Sequence, residues 1–269
     1  MPHALVTGTS TGFGLLATQR LVELGWTVTG AMRDASRAAD ETRWETVELD
    51  LTDQATIDAT AAHIGERHGR LDALVSNAGF YFGGPWEEMT SEELRSVLEV
   101  NLVGTMALAR ACLPWLRAAG GVIVQVSSIS GQVGEALSGA YNASKFALEG
   151  ASESLAAELE PQGIRVVLVE PGPFRTTIVD RGPEVGARGS TGLYEERWRE
   201  DDEWATWFRT EAEDPQIAAD AIVAAATVPG APFRIPVGID AGQWVRDHAE
   251  GVIADVARAE EFLRAFRDG

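Results

Sequence analysis

Two residues with complementary acid–base chemistry, Tyr141 and Lys145, lie four positions apart in a segment with helical periodicity. Four residues make about one helical turn, so both side chains are expected on one face of the helix. A phenol titrates at about 10, and a nearby ammonium group stabilises the phenolate and lowers that pKa. The pair therefore predicts a general acid or base that exchanges a proton with a bound molecule.

Lys145 is the only lysine of the chain, and every other strongly basic side chain is arginine. Arginine does not offer a pKa of about 10, and its planar fork differs in shape from a compact ammonium. A Tyr-x-x-x-Lys pattern alone is weak, because any helix can carry it as a surface pair. Here it uses the one lysine and one of three tyrosines, beyond a predicted strand that ends in Ser127 and Ser128. These coincidences favour a chemical role.

A glycine-rich segment, Thr7-Gly-Thr-Ser-Thr-Gly-Phe-Gly14, follows the first predicted strand. Glycines let the backbone turn sharply and approach a pyrophosphate, while the next helix directs its free N–H groups and positive dipole end at the anion. The alternative is an ordinary tight turn between a strand and a helix. Three glycines at the first strand favour the dinucleotide site, although the spacing is G-x-x-x-G-x-G and not the commoner G-x-G-x-x-G.

Two further loops are candidates for the same cofactor site. Asp50, followed by Leu51, comes after the third predicted strand and has two interpretations: a hydrogen bond to an adenine amino group, or a helix N-cap at Asp50 or Thr52. Both interpretations stay open and are compatible. The segment Asn77-Ala-Gly79 ends the fourth predicted strand, where small residues let the chain pass close to a flat ring and Asn77 can link neighbouring loops. A plain turn is the competing interpretation there.

The elements that must position these residues follow from the alternation of apolar runs and helical-period segments. Strands are predicted at 4–7, 27–31, 45–49, 73–76, 122–127, 165–169 and 233–236, and helices at 14–24, 54–68, 91–118, 140–160 and 215–227, with a less certain short segment at 35–40. This pattern predicts an α/β fold with a Rossmann-like, doubly wound parallel sheet of about seven strands in one domain, residues 1–269. The loops after Thr7, Ser76, Ser127 and Val169 are expected to converge on one cleft.

The segment 177–214 interrupts this pattern, since it is rich in glycine and charge and then in tryptophan. An insertion of this length is typical of a substrate lid. Aromatic residues occur here and after the fourth strand, namely Phe80, Tyr81, Phe82, Trp198, Trp204, Trp207 and Phe208. They predict an apolar roof over a bulky substrate, with simple anchoring of the insertion to the core as an equally weighted alternative.

Composition limits the classes of partner. The net charge of −19 repels phosphate backbones and anionic lipid, so neither nucleic acid nor membrane is an expected partner. No uninterrupted apolar run approaches about 18 residues, and the chain enters an apolar strand directly, so the expected location is the cytoplasm. The single cysteine, Cys112, excludes an internal disulfide and is expected to be packed in a helix. No metal site is predicted.

Taken together, these motifs resemble those of the short-chain dehydrogenase/reductases, in their branch of roughly 250 residues. The resemblance extends from Met1 to about Gly242. Its pieces are Thr7–Gly14, Asp50, Asn77–Gly79, Asn101, Ser128, Tyr141, Lys145 and the segment from Pro171 to Thr176. The order and spacing of these pieces are far more specific than any one of them, and one small departure is Ser76, where asparagine is common.

The resemblance implies catalytic roles for four residues. Tyr141 would be the acid in reduction and the base in oxidation, and Ser128 would hydrogen-bond the substrate oxygen. Lys145 would lower the pKa of Tyr141 and hold the nicotinamide ribose. Asn101 would bend its long helix and position a water that relays protons to Lys145; without the resemblance, a self-satisfied polar residue is the simpler interpretation.

The resemblance also implies how the cofactor is held. Its carboxamide would be cradled by Pro171, Gly172, Phe174 and Thr176, and its phosphates by Gly8, Ser10, Thr11, Gly12, Phe13 and Gly14. NADP(H) is the preferred cofactor, with NAD(H) also possible, because Met32 stands where NAD-specific sites place a carboxylate and Arg33 follows it. Two alternatives remain: Asp34 serves the ribose, or Arg33 only pairs on the surface with Asp34 or Glu48.

The implied function is an oxidoreductase that interconverts a ketone or aldehyde and an alcohol, acting on a small molecule. Halohydrin dehalogenases share the family likeness, but they carry arginine in the lysine's place and lack the glycine motif. A non-catalytic dinucleotide sensor on the same fold is the alternative from another class, since a fold alone does not establish a function. A homodimer or homotetramer is expected, packed through the two long helices, with Ala147, Ala151, Leu155 and Leu159 on the second helix as the close-approach face.

Overall fold

The computed structural model describes residues 1–38, 43–178 and 191–268, whose strands form one seven-stranded sheet. The strands are β1 (His3–Thr7), β2 (Thr27–Met32), β3 (Glu45–Glu48), β4 (Ala73–Ser76), β5 (Val122–Val126), β6 (Arg165–Pro171) and β7 (Arg234–Val237). The helices are α1 (Gly12–Glu23), α2 (Gln54–His68), α3 (Ser91–Leu98), α4 (Thr105–Ala119), α5 (Gly139–Leu159), α6 (Glu195–Thr210), α7 (Pro215–Thr227) and α8 (Ala241–Asp268).

The sheet order is β3-β2-β1-β4-β5-β6-β7, and every pairing is parallel. Strand order reverses between β1 and β4, and the crevice at such a reversal, outside the carboxyl ends of the strands, is where doubly wound sheets bind ligands. The predicted Rossmann-like sheet of about seven strands is therefore confirmed. All seven predicted strands are present within two residues of their predicted ends.

Both faces of the sheet are covered, which explains the nearly continuous apolar strands. Ala4 and Val6 of β1 point into one core cluster, where α1 and α7 supply residues such as Leu21 and Ile222. Leu5 points the other way, into a second cluster with residues of α2, α4 and α5. Cys112 is buried in that second cluster, as predicted.

Two helices, α6 and α8, are not among the helices predicted from the sequence. Helix α6 lies inside the predicted insertion, of which residues 179–190 fall outside the described part. Helix α8 runs for 28 residues where no element was predicted, and most of its side chains are exposed. The described part of the segment predicted at 35–40 contains a short 3-10 turn over Ala35–Arg37, and residues 39 and 40 lie outside the described residues.

The helical stretch Ser91–Ala119 comprises α3, a π-helical turn over Glu99–Gly104, and α4. By length and mean hydropathy it is the one helix among the described residues that is long and apolar enough to cross a membrane. Polar residues such as Glu99, Asn101 and Arg110 interrupt this helix, so it contains no uninterrupted apolar run of about 18 residues. Leu108, Cys112 and Leu116 of α4 are buried in the second core cluster, as in a core helix of this fold.

Candidate active site

A large pocket opens where the carboxyl ends of the central strands meet, and it gathers most of the predicted site. The predicted residues that line it are Gly8, Ser10, Thr11, Gly12, Phe13, Arg33, Asp50, Leu51, Asn77, Ala78, Gly79, Ser128, Tyr141, Lys145, Pro171, Gly172, Phe174 and Thr176. Two predicted residues, Gly14 and Asn101, lie behind the wall and support it. The four loops expected to converge therefore do meet at one cleft.

The glycine-rich loop needs glycine for two separate reasons. Gly8 and Gly12 have φ values of +73° and +58°, in the left-handed region that side chains with a Cβ rarely adopt. At Gly14, an added Cβ would lie 2.4 Å from both the Gly8 carbonyl oxygen and Asn77 Nδ2. The loop is thus folded tightly onto its own first turn. Helix α1 begins at Gly12, so its N-terminal N–H groups face the pocket side of this loop.

Asn77 links the β4 loop to the glycine-rich loop. Its backbone N–H and that of Ala78 donate to Thr7 Oγ1, both at 2.9 Å, and its side-chain amide donates to the Thr7 carbonyl at 2.9 Å. These bonds join β1 to β4 across the point where strand order reverses. They hold the two loops close together at the wall of the cleft.

Arg33 and Met32 line the pocket at the end of β2, and Asp34 does not. The Asp34 carboxylate accepts hydrogen bonds from the backbone and hydroxyl of Ser36 and caps the short 3-10 turn. Arg33 is exposed, with its side chain beside the cofactor end of the cleft. This placement gives the guanidinium access to an anion bound there.

Asp50 lines the same end of the pocket, and its Oδ1 accepts from the backbone and hydroxyl of Thr52 at 2.9 and 2.8 Å. The N-cap of α2 is Asp53, whose carboxylate accepts from Ala55 N. The cap interpretation of Asp50 or Thr52 was therefore wrong. Asp50 instead shapes the turn that presents it to the cleft.

Tyr141 and Lys145 lie on the first turns of α5 with both side chains turned into the pocket wall. Lys145 Nζ donates to the Val126 carbonyl at 2.9 Å and lies 5.7 Å from the centre of the Tyr141 ring. Ser128, directly after β5, accepts from Ser130 N at 3.1 Å and donates to the Pro171 carbonyl at 3.4 Å. Strand β5 and helix α5 thus bring the three side chains to one place.

Burial dominates the electrostatics of this group. It raises the pKa of Tyr141 above its ordinary value, and a hydrogen bond with Ser128 acts in the opposite direction. Burial also lowers the pKa of Lys145 to about 8, which Glu149 partly counteracts. In the protein without cofactor, removal of the phenolate from water sets the direction at Tyr141. The predicted lowering also depends on the positive charge of an oxidised nicotinamide, and it stays a prediction.

Asn101 sits in the π-helical turn between α3 and α4, fully buried. Its amide accepts from Phe80 N at 3.1 Å and donates to the Phe80 carbonyl at 3.0 Å and to Ser144 Oγ at 3.1 Å. The helix is locally distorted at Asn101, as the resemblance implied, and the side chain joins the β4 loop to α5. The proton relay to Lys145 stays a prediction.

The segment that follows β6 closes the part of the cleft that is predicted to hold the cofactor's carboxamide. Gly172 N donates to the Val237 carbonyl at 2.9 Å, and Phe174 packs edge-on against Phe13 with ring centres 5.6 Å apart. A Cβ added at Gly12 would lie 3.9 Å from the Thr176 methyl group, so this segment lies across the glycine-rich loop. The segment predicted to hold the cofactor's carboxamide therefore faces the loop predicted to hold its phosphates.

The predicted apolar roof is only partly formed by the predicted residues. Phe80, Tyr81, Trp204 and Phe208 line the pocket. Phe82 is buried with Val97 and Ala140 in a small core cluster beneath it. Trp198 is also buried and donates from its indole to Glu88, and Trp207 is exposed and does not line the pocket. For Trp198, the anchoring alternative is the correct one.

Besides the predicted roof residue Tyr81, whose contacts the sequence did not indicate, several residues at the substrate end were not identified from the sequence. Tyr81 packs edge-on against Tyr141, with ring centres 5.3 Å apart, and its hydroxyl contacts Ser138 Oγ at 3.1 Å. Trp244, at the start of α8, adds a second tryptophan to the lining. Buried Glu88 holds the insertion by accepting from Thr191 and Trp198. All of these contacts join residues distant in sequence, so no local pattern signals them.

The chain is similar to known proteins over most of its length. The model of the short chain dehydrogenase family matches residues 2–184. A 3-ketodihydrosphingosine reductase of Bacteroides thetaiotaomicron is 40% identical over 177 residues, which are 65% of each chain. Human 17-beta-hydroxysteroid dehydrogenase type 1 is 36% identical over 192 residues, 66% of this chain and 58% of its own. The matched region thus spans under two thirds of these two relatives.

Solved structures agree along nearly the whole chain. A short-chain dehydrogenase from Streptomyces avermitilis superimposes with a TM-score of 0.84 at 36% identity, covering 98% of this chain and 97% of its own. A short chain dehydrogenase from Burkholderia cenocepacia, in complex with NADP, gives a TM-score of 0.77 at 27% identity, covering 96% of each chain. The chain belongs to the short-chain dehydrogenase family.

Proposed function

We propose that this chain is an oxidoreductase that uses NADP(H) to interconvert a bulky, largely apolar ketone or aldehyde and its alcohol. The observation that carries the proposal is the placement of Tyr141, Ser128 and Lys145 on one wall of a cleft whose far end presents Arg33. A dinucleotide lying along such a cleft has its adenosine end at Arg33 and its nicotinamide near Tyr141.

The residues present fit such a cofactor. At Gly8 and Gly14 there is no room for a Cβ between the loop and Asn77, so the backbone itself forms the floor for the phosphates. When bound, the nicotinamide supplies or accepts the hydride, and the protein contributes orientation and charge stabilisation. Met32 places no carboxylate beside a ribose phosphate, and Arg33 offers a fork that binds phosphate through two hydrogen bonds. The NADP complex of the Burkholderia cenocepacia relative supports this choice of cofactor.

Tyr141, Ser128 and Lys145 divide the remaining work between them. The Ser128 hydroxyl orients the substrate oxygen by a hydrogen bond. The Tyr141 hydroxyl donates its proton to that oxygen in reduction and takes it back in oxidation. Lys145 holds a positive charge close to the phenol ring and, through its bond to the Val126 carbonyl, stays fixed against β5. Because the cleft wall is buried, these interactions act in a region of low dielectric, where they are stronger than in water.

The substrate end favours an apolar molecule without a negative charge. Its walls carry Phe80, Tyr81, Trp204 and Phe208, and three carboxylates, Glu135, Glu200 and Asp201, lie along its edge with one basic side chain, Arg197. The names of the similar enzymes, a 3-ketodihydrosphingosine reductase and a 17-beta-hydroxysteroid dehydrogenase, both denote large apolar substrates. A ketone that bears a carboxylate is expected to be a poorer substrate than its neutral counterpart.

Cofactor preference provides the sharpest test. We expect kcat/KM for NADPH to exceed that for NADH by at least about tenfold, which corresponds to about 1.4 kcal/mol. Arg33→Ala removes the phosphate contact and should abolish most of that preference, mainly by weakening NADPH. Arg20→Ala is the matched control, because Arg20 is an exposed arginine on α1 paired with Glu23 and outside the cleft. Equal use of both cofactors by the unaltered enzyme would contradict the assignment to NADP(H).

We also propose a homodimer or homotetramer located in the cytoplasm. The predicted contact face on α5 needs revision, because Leu159 is buried in the second core cluster and Leu155 packs against it. Val103, in the π-helical turn, and Phe146, on α5, are large apolar residues left exposed on two elements that pack together. Their exposure supports a subunit contact centred on Phe146, at the end of α5 that lies nearer the active site.

A further inference from the structure

Three of the four histidines in the chain lie together, away from the active site, at the β3 edge of the sheet. His63 and His68 are on the last turns of α2, His3 begins β1, and Glu45 begins β3. The Nε2 atoms of His63 and His68 and a carboxylate oxygen of Glu45 all lie within 4.8 Å of one another. Glu45 Oε2 is 3.0 Å from His63 Nε2 and 3.7 Å from His68 Nε2.

From this convergence we propose that Glu45, His63 and His68 form a binding site for a divalent transition-metal ion of the Zn²⁺ class. Imidazole and carboxylate are the ligands such ions accept, and Zn²⁺ is typically bound by four ligands at about 2.0–2.2 Å. Two ligand atoms on a tetrahedral ion of that size are separated by about 3.3 Å. The distances from Glu45 Oε2 to His63 Nε2, 3.0 Å, and to His68 Nε2, 3.7 Å, lie on either side of this value. Binding therefore needs only small side-chain movements at these two pairs.

The two imidazole nitrogens have no better partner among the described residues. Both Nε2 atoms are buried and face the same carboxylate, within ion-pair distance of Glu45 Oε2, but neither meets it with the angles of a full hydrogen bond. A buried polar atom without a hydrogen bond is costly, and two in one cluster call for a common explanation. A metal ion between the two nitrogens and the Glu45 oxygen satisfies all three atoms at once.

The surroundings hold the three side chains in place, as metal sites require. Arg67 Nε lies 3.5 Å from the other carboxylate oxygen of Glu45, which leaves Oε2 facing the histidines. The His68 ring stacks on His3 with ring centres 3.7 Å apart. His3 is itself held by contacts to Thr29 Oγ1 and to the Arg70 carbonyl. Glu45 and His68 also line a surface pocket beside the cluster.

Such an ion would fasten the edge strand β3 to the end of α2. Strand β3 is only four residues long, and among the described residues it is an edge strand of the sheet. The expected consequence is greater thermal stability with the metal bound. Activity is not expected to require the ion, because the cluster is separate from the cleft.

The test is Zn²⁺ binding by full-length protein that carries no polyhistidine tag and has been treated with a chelator. Isothermal titration with ZnCl₂ should show one site per chain with micromolar or tighter affinity, and the melting temperature should rise. His63→Ala, His68→Ala and Glu45→Gln should each weaken binding at least tenfold. His248→Ala is the matched control, because His248 lies on α8 outside the cluster, and it should bind Zn²⁺ as the unaltered protein does.

Two measurements keep the test decisive. Circular dichroism and NADPH binding check that each variant is folded. If His68→Ala does not fold, the comparison relies on His63→Ala, because His63 does not stack on the buried His3 as His68 does. Substitution with Co²⁺ reports coordination by its visible absorption, which should disappear in His63→Ala. Absence of saturable one-to-one Zn²⁺ binding, or equal binding by His63→Ala and the unaltered protein, would overturn the proposal.

Discussion

Tyr141 is held between two opposing influences on its pKa. Burial favours the neutral phenol, while the hydrogen bond with Ser128 favours the phenolate. A neutral phenol suits the donation of a proton to a carbonyl oxygen, which is the step needed for reduction. The residue is therefore prepared to act as an acid before any further positive charge is brought near it.

Replacing Tyr141 by phenylalanine tests this role. Tyr141→Phe removes the transferable proton and keeps the ring that packs on Tyr81, so kcat should fall by about 10³-fold or more. The dissociation constant for NADPH, measured by fluorescence titration, should change by less than about threefold. Lys145→Arg should be comparably damaging, since a planar guanidinium does not fit the buried site beside Val126.

The matched control for this pair is Tyr194→Phe. Tyr194 is outside the cleft lining, and its hydroxyl donates to Glu87 on the surface. Its removal should leave kcat unchanged. Near-normal turnover by Tyr141→Phe would show that another group transfers the proton.

Glu170 is a second buried ionisable residue, and it lies behind the active-site wall. It is fully buried beside Glu149, and both carboxylates accept from Gln132, at 3.2 and 3.1 Å, and lie near Arg234. Burial and the neighbouring Glu149 raise the pKa of Glu170 to about 7. A carboxyl group whose pKa is raised by folding stabilises the protein below its ordinary pKa, and that stability is lost as pH rises through the raised value.

Glu170→Gln should therefore change the pH dependence of stability. The neutral amide does not ionise, so the melting temperature of the variant minus that of the unaltered protein should increase between pH 5 and pH 8. We expect an increase of several degrees, given about 2–4 °C per kcal/mol in a protein of this size. A difference that is constant or decreases over this range, measured by differential scanning calorimetry, would show that Glu170 is already ionised at pH 5.

Among the elements, α6 shapes the substrate end. Its residues have separate tasks: Trp198 is buried against Glu88, Trp204 and Phe208 face the pocket with ring centres 5.0 Å apart, and Trp207 points outward. The helix is thus anchored at one end and offers an apolar surface to the cleft. This arrangement explains why aromatic spacing alone did not separate roof from anchor.

Trp204→Ala is expected to lower kcat/KM for a bulky apolar ketone by about tenfold, since one apolar contact in a pocket accounts for about 1–3 kcal/mol. The value for a small ketone should change much less. Trp207→Ala is the control on the same helix, exposed and outside the lining, and should leave both values unchanged. If the small and bulky ketones lose activity equally in Trp204→Ala, α6 supports the fold and does not select the substrate.

The π-helical turn between α3 and α4 is a second element whose position has an identifiable structural cause. Thr105 Oγ1 donates to the Val100 carbonyl, and an added Cβ at Gly104 would lie 1.9 Å from the Leu51 carbonyl oxygen. The turn therefore presses closely on the loop after β3. In this position it directs Asn101 to Phe80 and Ser144 and connects the cofactor loops with α5.

For the whole molecule, assembly is the property most open to measurement. Light scattering at micromolar concentration should give at least twice the chain mass of 28.8 kDa. Phe146→Arg places a charge in the proposed contact and should lower the measured mass to that of a single chain. The comparison variant is Phe262→Arg, on the exposed helix α8, which should leave the mass unchanged if the contact is at Phe146. A single-chain mass for the unaltered protein would count against any oligomer.

The sequence by itself determined the sheet and the chemistry of the site. Strand positions followed from short apolar runs, the glycine-rich loop from its position after β1, and the Tyr141–Lys145 pair from helical spacing. These signals are local, because each depends on backbone conformation or on residues within about one turn. The resemblance added Asn101 and Ser128, whose roles depend on partners that no local pattern indicates.

The tertiary structure alone decided the rest. It placed Trp244 in the pocket and Phe82 and Trp198 in the core, and it gave the cap of α2 to Asp53. It also brought His3, His63, His68 and Glu45 together from three elements. In each case, the outcome depends on which face of an element is turned toward a distant part of the chain. Burial also raises the pKa of Tyr141 in the protein alone, because desolvation depends on everything packed around a group and not on its neighbours in sequence.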